Sequence, residues 1–160
     1  MESQRDTLNR FLVEVFNEIL KTEELSLAEE SGDISLRELH LIEEVCRAVD
    51  MERDNRSTAI AAAQRITAGT LTTAVTQLEK KGYLERRRDE KDKRVVRIFP
   101  TEKARAAEVS HARFHDEMVS HILDALTPEE SEVFRRALGN VAEFFRSKYG
   151  EARGTTPSHF

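Results

Sequence analysis

Residues 67–97, TAGTLTTAVTQLEKKGYLERRRDEKDKRVVR, decide the fold of this chain. Apolar side chains at spacings of three and four predict a helix over residues 70–81. Its buried face carries Leu71, Val75 and Leu78. Gly82 is predicted to end the helix in a left-handed conformation. Beyond it the apolar period shortens to two, which predicts strands over residues 83–86 and 95–99 with a charged loop between them.

Further helices are predicted on both sides of this segment. An apolar stripe at helical spacing predicts a first helix over residues 5–29, and a second helix follows the capping box of Ser35 and Glu38. After the strands, Thr101 starts a long fifth helix, and Thr127-Pro128 starts a sixth. A hairpin placed after the fourth of six helices predicts a mainly α fold with a small β-hairpin, a winged helix-turn-helix.

The third helix is predicted to be short and closely joined to the fourth. Ser57 or Thr58 is expected to cap its start. A tight connection, Thr67-Ala68-Gly69, in which Gly69 can adopt a positive φ, is expected to lead into the fourth helix.

The length of 160 residues is expected to give one domain and a short tail. The apolar faces of the first, fifth and sixth helices exceed what so small a chain can cover, so a homodimer is expected. The predicted divisions are a single domain over residues 1–149, containing a winged helix-turn-helix over 35–100 with dimerisation helices over 1–30 and 101–149, and a flexible tail over 150–160.

The net charge of −5 is unevenly distributed along the chain. Residues 1–50 contain 5 basic and 13 acidic side chains, whereas residues 80–105 contain 11 basic and 5 acidic ones. An acidic half beside one basic patch is typical of a protein that presents a single surface to phosphate.

Several classes of protein are excluded by what the sequence lacks. No stretch approaches the roughly 20 apolar residues that span a bilayer, and the N-terminus has no apolar signal core, so a cytoplasmic location without membrane contact is expected. Cys46 is the only cysteine, which excludes an intrachain disulfide and favours a core residue over a redox sensor. Without a phosphate-binding loop or a nucleophile motif, the chain is expected to be neither an enzyme nor a cofactor carrier.

The exposed face of the fourth helix is predicted to read DNA. Threonine forms helices poorly, and an ordinary solvated face favours Glu, Lys and Ala instead. Short hydroxyl and amide side chains let a helix enter the major groove, where they reach base edges. The residues expected to contact DNA are Ser57, Thr58, Gly69, Thr70, Thr72, Thr73, Thr76, Gln77, Lys80, Arg86, Arg88, Asp92 and Arg94.

The charged loop between the strands is either a plain solvated loop or a wing that contacts DNA. Its place directly after the threonine-rich helix favours the wing, with Arg94 entering the minor groove. Asp89 or Asp92 is expected to brace Arg94 through a bidentate pair. The phosphate contacts are assigned to Lys80, Arg86 and Arg88.

Residues 78–86 (LEKKGYLER), 89–96 (DEKDKRVV) and 101–104 (TEKA) together resemble the MarR family of transcription regulators. The resemblance extends over roughly residues 5–148, and it implies a homodimer, joined by the N- and C-terminal helices, that binds a pseudo-palindromic double-stranded DNA site. We expect it to act as a repressor. The sequence departs from the family pattern at the start of the fifth helix, where Pro100 replaces an apolar residue and Ala104-Arg105 replaces glycine.

A closer resemblance points to the branch of this family that represses fatty-acid-synthesis genes. It is carried by residues 23–24, 34–40, 69–73, 80–83 and 111–119. That branch uses acyl-acyl carrier protein as co-repressor, which implies an apolar tunnel between the first, second and fifth helices. The walls assigned to it are Phe16, Leu20, Leu39, His40, Phe114 and Met118. The alternative is that these side chains are ordinary core residues.

Zinc or another small ligand is the alternative effector. His111 and His115 lie four residues apart on one helical face, so both can bind one ion. Some MarR-type repressors sense zinc with a similar set, here assigned to Glu24, His40, His111 and His115. The remaining alternative is that the histidines form hydrogen bonds with backbone groups or carboxylates at a helix crossing.

Overall fold

Six helices and one two-stranded hairpin make up the part of the chain that the structure, a computed structural model, describes, residues 3–149. The elements are α1 (Gln4–Ser31), α2 (Leu36–Asp50), α3 (Ser57–Ala63), α4 (Ala68–Lys80), β1 (Leu84–Arg88), β2 (Val96–Pro100), α5 (Glu102–Asp124) and α6 (Pro128–Tyr149). This order confirms the predicted mainly α fold with a small hairpin. The predicted flexible tail, residues 150–160, lies outside the described residues.

The chain divides into two units, Met1–Phe114 and His115–Phe160, and the division falls within α5. The first unit holds α1 to β2 and the start of α5. Its core side chains come mainly from α2 and α4. The core residues that are at most 1% exposed also include one from α3 and one from β2. The residues exposed by at most 1% include Leu39, Ile42, Val45, Ile60, Leu71, Val75, Leu78 and Ile98. The predicted buried stripe of α4 is therefore confirmed.

Cys46 lies in the same core and is fully buried. Burial raises the pKa of its thiol to about 12, so the thiol stays protonated at neutral pH. A protonated, inaccessible thiol is a poor nucleophile, and Cys46 therefore acts as a core residue.

The two helices of the helix-turn-helix, α3 and α4, start at different positions from those predicted. Arg56 is the N-cap of α3 and forms no capping hydrogen bond, so the predicted cap at Ser57 or Thr58 is wrong and both residues lie in the first turn. The Thr67 side chain accepts a hydrogen bond from a backbone N–H three residues on, and this cap starts α4 before Gly69. Gly69 therefore has no positive φ, and the predicted tight connection at this residue is wrong.

The end of α4 leads directly into the hairpin, which we call the wing (residues 84–100). Gly82 has a φ of 83°, and the N–H of Tyr83 donates to the carbonyl of Leu78 at 2.8 Å, so the predicted left-handed helix end is confirmed. The strands pair antiparallel, in a register that runs from Leu84 opposite Pro100 to Arg88 opposite Val96. Each strand lies one residue or more further along the chain than predicted.

α6 belongs to the second unit and starts with a capping box. The N–H of Thr127 donates to Glu130 Oε2 at 2.8 Å, and the N–H of Glu130 donates to Thr127 Oγ1 at 3.2 Å, so the predicted start is confirmed. Several large apolar side chains of α6 are exposed, namely Val133, Phe134, Leu138, Phe144 and Phe145. Within residues 3–149, no helix combines the length and the apolar character that crossing a membrane requires.

Candidate nucleic-acid interface

α4 presents a polar face on the side opposite its buried stripe. Its exposed side chains include Thr72, Thr73, Gln77 and Lys80, all of which were predicted to contact DNA. Gly69 and Thr70 are exposed in the first turn of the same helix. Because these threonines are short and carry both a donor and an acceptor, the helix can approach base edges closely.

Thr76 and Arg86 were also predicted to contact DNA, but the structure engages them within the protein. The hydroxyl of Thr76 donates to the Thr72 carbonyl at 2.8 Å and accepts from Arg86 Nη2 at 3.1 Å. Arg86 Nη2 also donates to the Thr72 carbonyl at 2.8 Å, and Nη1 forms an ion pair with Glu79. Arg86 thus fastens the wing to α4, and its guanidinium lies against the helix.

Glu79 is a structural residue that the sequence analysis missed. Its carboxylate accepts the Arg86 backbone N–H at 2.8 Å in addition to the guanidinium, so it holds the first strand of the wing at two points. Glu79 and Arg86 are seven residues apart with a glycine turn between them, and nothing in that spacing indicates a contact.

Arg94 projects from the wing and its side chain is 92% exposed. Asp92 braces it as expected, because Asp92 Oδ1 accepts Arg94 Nε at 3.1 Å and Asp92 Oδ2 accepts Arg94 Nη2 at 3.3 Å. Asp89, the other predicted brace, pairs with Arg97 instead, at 2.6 Å. Arg88 is exposed at the end of β1 and donates to the Lys93 carbonyl at 3.2 Å.

Two carboxylates in the loop of the wing, those of Asp89 and Asp92, are held in their charged forms. The hydrogen bond from Arg97 lowers the pKa of Asp89 to about 2, and the one from Arg94 lowers the pKa of Asp92 below its ordinary value. A carboxyl with a lowered pKa stays ionised and keeps its ion pair at any pH above its ordinary pKa. It loses the ion pair only as the pH falls through the lowered pKa. The Arg97–Asp89 and Arg94–Asp92 ion pairs are therefore complete at neutral pH.

The segment before α3 is also fixed by charge pairs. Arg56 forms three side-chain hydrogen bonds with Asp54, and this interaction lowers the pKa of Asp54 to about 2. At the start of α3, Ser57 is half-buried and Thr58 is exposed. Thr58 is thus the more accessible of the two residues that were predicted to contact DNA in this helix.

A second group of polar side chains lies in the first unit where α1, α2 and α5 meet. His111 is 8% exposed, and its Nε2 lies 3.3 Å from Glu23 Oε1 while its Nδ1 contacts Glu43. The rings of His40 and His111 are 5.6 Å apart. The potential ligand atoms of His40, Glu43 and His111 lie within 4.8 Å of one another, close enough for all three to be candidate ligands of one metal ion.

This group differs from the metal set predicted from the sequence. Glu24 is exposed, and the buried carboxylate beside His111 is that of Glu23, because consecutive residues point in different directions around a helix. His115 belongs to the second unit and is half-buried. Glu43 was missed because it resembles an ordinary solvated helix charge.

The residues assigned to an acyl tunnel differ widely in their exposure. Leu39 is buried and Phe114 is half-buried, whereas Phe16 and Leu20 are each about half exposed, at 52% and 49%. Met118, in the second unit, is half-buried like His40. The cavity lined by Leu27, Leu39, Ala107 and His111, among others, has a volume of about 10 Å³, which is room for one water molecule at most.

A larger groove of about 690 Å³ lies between the end of α1, Tyr83 just before the wing, and α5. Its charged side chains are paired with one another. Lys103 Nζ donates to Asp33 Oδ2 at 2.8 Å, and Arg113 lies 3.7 Å from Glu30. Each cation of the groove therefore already has a carboxylate partner.

The helix pair α3–α4 followed by a two-stranded wing defines a winged helix-turn-helix protein. Residues 52–96, from the connection after α2 to the first residue of β2, match the model of the MarR family. Over 72 residues, 45% of its length, the chain is 31% identical to the uncharacterized HTH-type transcriptional regulator YwhA of Bacillus subtilis. That match spans 52% of the relative's own length.

Among solved structures, the chain is similar to Streptococcus pneumoniae FabT in complex with DNA, with a TM-score of 0.82 and 35% sequence identity over 90% of this chain and 99% of that one. The Staphylococcus aureus MepR–DNA complex has the same fold, with a TM-score of 0.69 and 21% identity over 89% of this chain and 99% of that one. The chain belongs to the MarR family and is a winged helix-turn-helix transcription regulator.

Replacing Arg86 by Met should destabilise the first unit by about 1–2 kcal/mol, because it removes charge-assisted hydrogen bonds and leaves the half-buried Glu79 carboxylate without its cation. Arg88→Met is the matched control on the same strand. It removes one long, exposed hydrogen bond and should cost less than about 0.5 kcal/mol. Urea unfolding of both variants at one protein concentration, without DNA, measures the difference. Equal midpoints would show that Arg86 does not fasten the wing to α4.

Proposed function

We propose that the protein is a non-enzymatic repressor that acts in the cytoplasm and binds a pseudo-palindromic DNA operator as a homodimer. The observation that carries this proposal is the pairing of an exposed, threonine-rich face on α4 with an exposed arginine, Arg94, on the wing. Arg86 ties these two elements together, so the first unit presents both. The likeness to FabT, solved in complex with DNA, supports the proposal.

In this proposal α4 enters the major groove. Thr72, Thr73 and Gln77 read base edges through hydroxyl and amide groups, and the threonine methyl groups can contact thymine methyls. Thr76 has a smaller part, because its hydroxyl already has two partners within the protein. Gly69 and Thr70 lie at the end of the helix that approaches the DNA backbone.

The wing and the flanking positions supply the remaining contacts. Arg94 enters the minor groove, where the electrostatic potential is most negative, and Asp92 limits the directions in which it can point. Lys80 and Arg88 contact phosphate. The start of α3, Ser57 and Thr58, adds contacts to the DNA backbone. Arg86 supports the interface indirectly, because it links the wing to α4.

Apolar side chains that one chain leaves exposed support the homodimer. On α1 they include Leu8, Phe11, Leu12, Val15, Phe16 and Leu20, each 43–56% exposed. On α6 the exposed fractions are 42–55%, for Val133, Phe134, Leu138, Phe144 and Phe145. Contiguous apolar faces of this kind are typical of surfaces that another chain covers. The domain divisions predicted from the sequence, with dimerisation helices at both ends, remain part of this proposal.

The proposed regulated genes are those of fatty-acid synthesis, with acyl-acyl carrier protein as co-repressor. The sequence resemblance to that branch of the family and the 35% identity to FabT support this choice. A cavity of about 10 Å³ beside Leu39 and His111 cannot hold an acyl chain, so α1, α2 and α5 must separate when the chain enters. Phe16, Leu20 and Phe114 then become candidates for its walls.

A zinc-sensing repressor is the second candidate, because of the group formed by His40, Glu43 and His111. Two imidazoles and a carboxylate suit zinc, which binds them at about 2.0–2.2 Å. The ligand atoms lie within 4.8 Å of one another, and a shared ion would draw them closer. The competing interpretation is an ordinary hydrogen-bonded histidine, since His111 already contacts two carboxylates.

Replacing Arg94 by Ala should weaken binding to an operator duplex, selected from a randomised pool by the wild-type protein, by about 10–100-fold. The slope of log affinity against log salt should fall by about one, because one cation no longer displaces counterions. Lys21→Ala is the control, because the Lys21 side chain is exposed on α1, and it should change neither the affinity nor the salt slope. Unchanged Arg94→Ala binding across the salt titration would remove Arg94 from the interface. A wild-type protein that selects no duplex would overturn the proposal of DNA binding.

The effector can be tested with the same duplex. Long-chain acyl-acyl carrier protein should tighten DNA binding at least several-fold, while the unacylated carrier protein should not, because only the acyl chain fills the space between the helices. If zinc is the effector, zinc sulfate should change the affinity of the wild type but not of His40→Ala or His111→Ala. The exposed His121→Ala is the control that should keep the zinc response. A protein that responds to neither addition would contradict both effector assignments.

A further inference from the structure

The loop of the wing is ordered by hydrogen bonds although every side chain from Asp89 to Arg94 carries a charge. Asp89 Oδ1 accepts the backbone N–H groups of Lys91, at 2.8 Å, and Asp92, at 3.0 Å. Asp92 Oδ1 then accepts both the backbone N–H of Arg94, at 3.0 Å, and its Nε, at 3.1 Å. The direction of Arg94 therefore depends on Asp92, and the position of Asp92 depends on Asp89.

The second oxygen of Asp89 is held by Arg97, which lies on β2. Arg97 Nε donates to Asp89 Oδ2 at 2.6 Å, and Arg97 Nη1 donates to Asn55 Oδ1 at 3.0 Å. A second acidic group, Asp54, lies 3.9 Å from Nη1. The guanidinium thus joins the loop of the wing to the segment between α2 and α3.

Asn55 is a fixed anchor for this guanidinium. Asn55 is 6% exposed, and its Nδ2 donates to the Ile98 backbone carbonyl at 2.9 Å. The backbone carbonyl of Asn55 accepts the Ile98 N–H at 3.0 Å. Ile98 is fully buried in the core. With its amide nitrogen and its backbone both engaged, Asn55 can present Oδ1 to Arg97 in one orientation only.

We propose that Arg97 is a positioning residue for DNA binding, which fixes the direction of Arg94 by tying Asp89 to Asn55. The inference rests on the proposed function, because Arg94 has to contact DNA for its direction to matter. A side chain already held near its bound orientation loses less conformational freedom on binding, so affinity rises without any new contact to DNA. Arg97 stabilises the bound geometry in this indirect way.

A direct phosphate contact by Arg97 is the competing role, and the geometry favours the indirect one. The Arg97 side chain is 34% exposed, against 92% for Arg94, and its Nε and Nη1 already have acceptors. The same ion pair lowers the pKa of Asp89 to about 2, so the tie is complete at neutral pH. Changes near physiological pH will therefore leave it intact.

A double-mutant cycle separates the two roles. With the operator duplex selected by the wild type, Arg97→Met should weaken binding by about tenfold. If Arg97 acts through Arg94, adding Arg97→Met to Arg94→Ala should produce no loss beyond that of Arg94→Ala alone. A loss in the double variant equal to the product of the two single losses would overturn the proposal, as would unchanged binding by Arg97→Met.

Two further variants keep the test decisive if Arg97→Met does not fold. Asp89→Asn removes the charge that Arg97 binds but keeps an oxygen for the two backbone N–H groups, and it should give the same loss and the same lack of additivity with Arg94→Ala. Arg87→Met changes the residue directly opposite Arg97 in the hairpin, which pairs with Glu85, and it should alter binding less than threefold. Equal losses in Arg87→Met and Arg97→Met would reduce the effect to the general charge of the wing and overturn the proposal.

A nuclear magnetic resonance titration gives a readout that a general loss of stability does not move. In the folded Arg97→Met variant, the pKa of the Asp89 carboxyl should rise toward its ordinary value, and the amide signals of Lys91 and Asp92 should shift with it. An Asp89 pKa that stays near 2 would show that Arg97 does not hold this carboxylate. A wild-type protein that selects no duplex would instead count against the proposed function, and this outcome is distinct from wild-type binding that Arg97→Met leaves unchanged.

Discussion

The division of α4 into one apolar and one polar face is the constraint on which the rest of the structure depends. Leu71, Val75 and Leu78 are at most 1% exposed, and they are the part of the helix that the core can accept. Turning the helix over would bury threonine hydroxyls away from water without partners, at a cost of about 1–3 kcal/mol each. The core therefore fixes which face of α4 is presented to solvent.

The wing adds a second constraint, which is electrostatic. It concentrates basic side chains in a short hairpin, and the structure controls their mutual repulsion by giving most of them an acidic partner: Arg86 has Glu79, and Arg97 has Asp89. Arg94 remains the most exposed of the paired arginines of the wing. A protein of net charge −5 can thus present positive charge locally, where a DNA backbone would meet it.

Much of the fold could be predicted from the sequence, because its determinants are local. The apolar period of α4, the glycine at its end and the capping box of α6 act within a few residues, and each was found where expected. Contacts between distant segments could not be predicted. Asn55 lies in the charged connection between α2 and α3, yet it is buried against a strand more than forty residues away. The choice of Glu23 over Glu24 likewise depends on how α1 lies against His111.

The central claim is that α4 and the wing together form the surface that meets DNA, and chemical shift mapping tests it most directly. The backbone amide signals of the protein would be recorded before and after adding the selected duplex. The largest changes are expected at Thr72, Thr73 and Arg94, with smaller ones along α6. Changes concentrated on α6, with the α4 and wing signals unmoved, would contradict the claim.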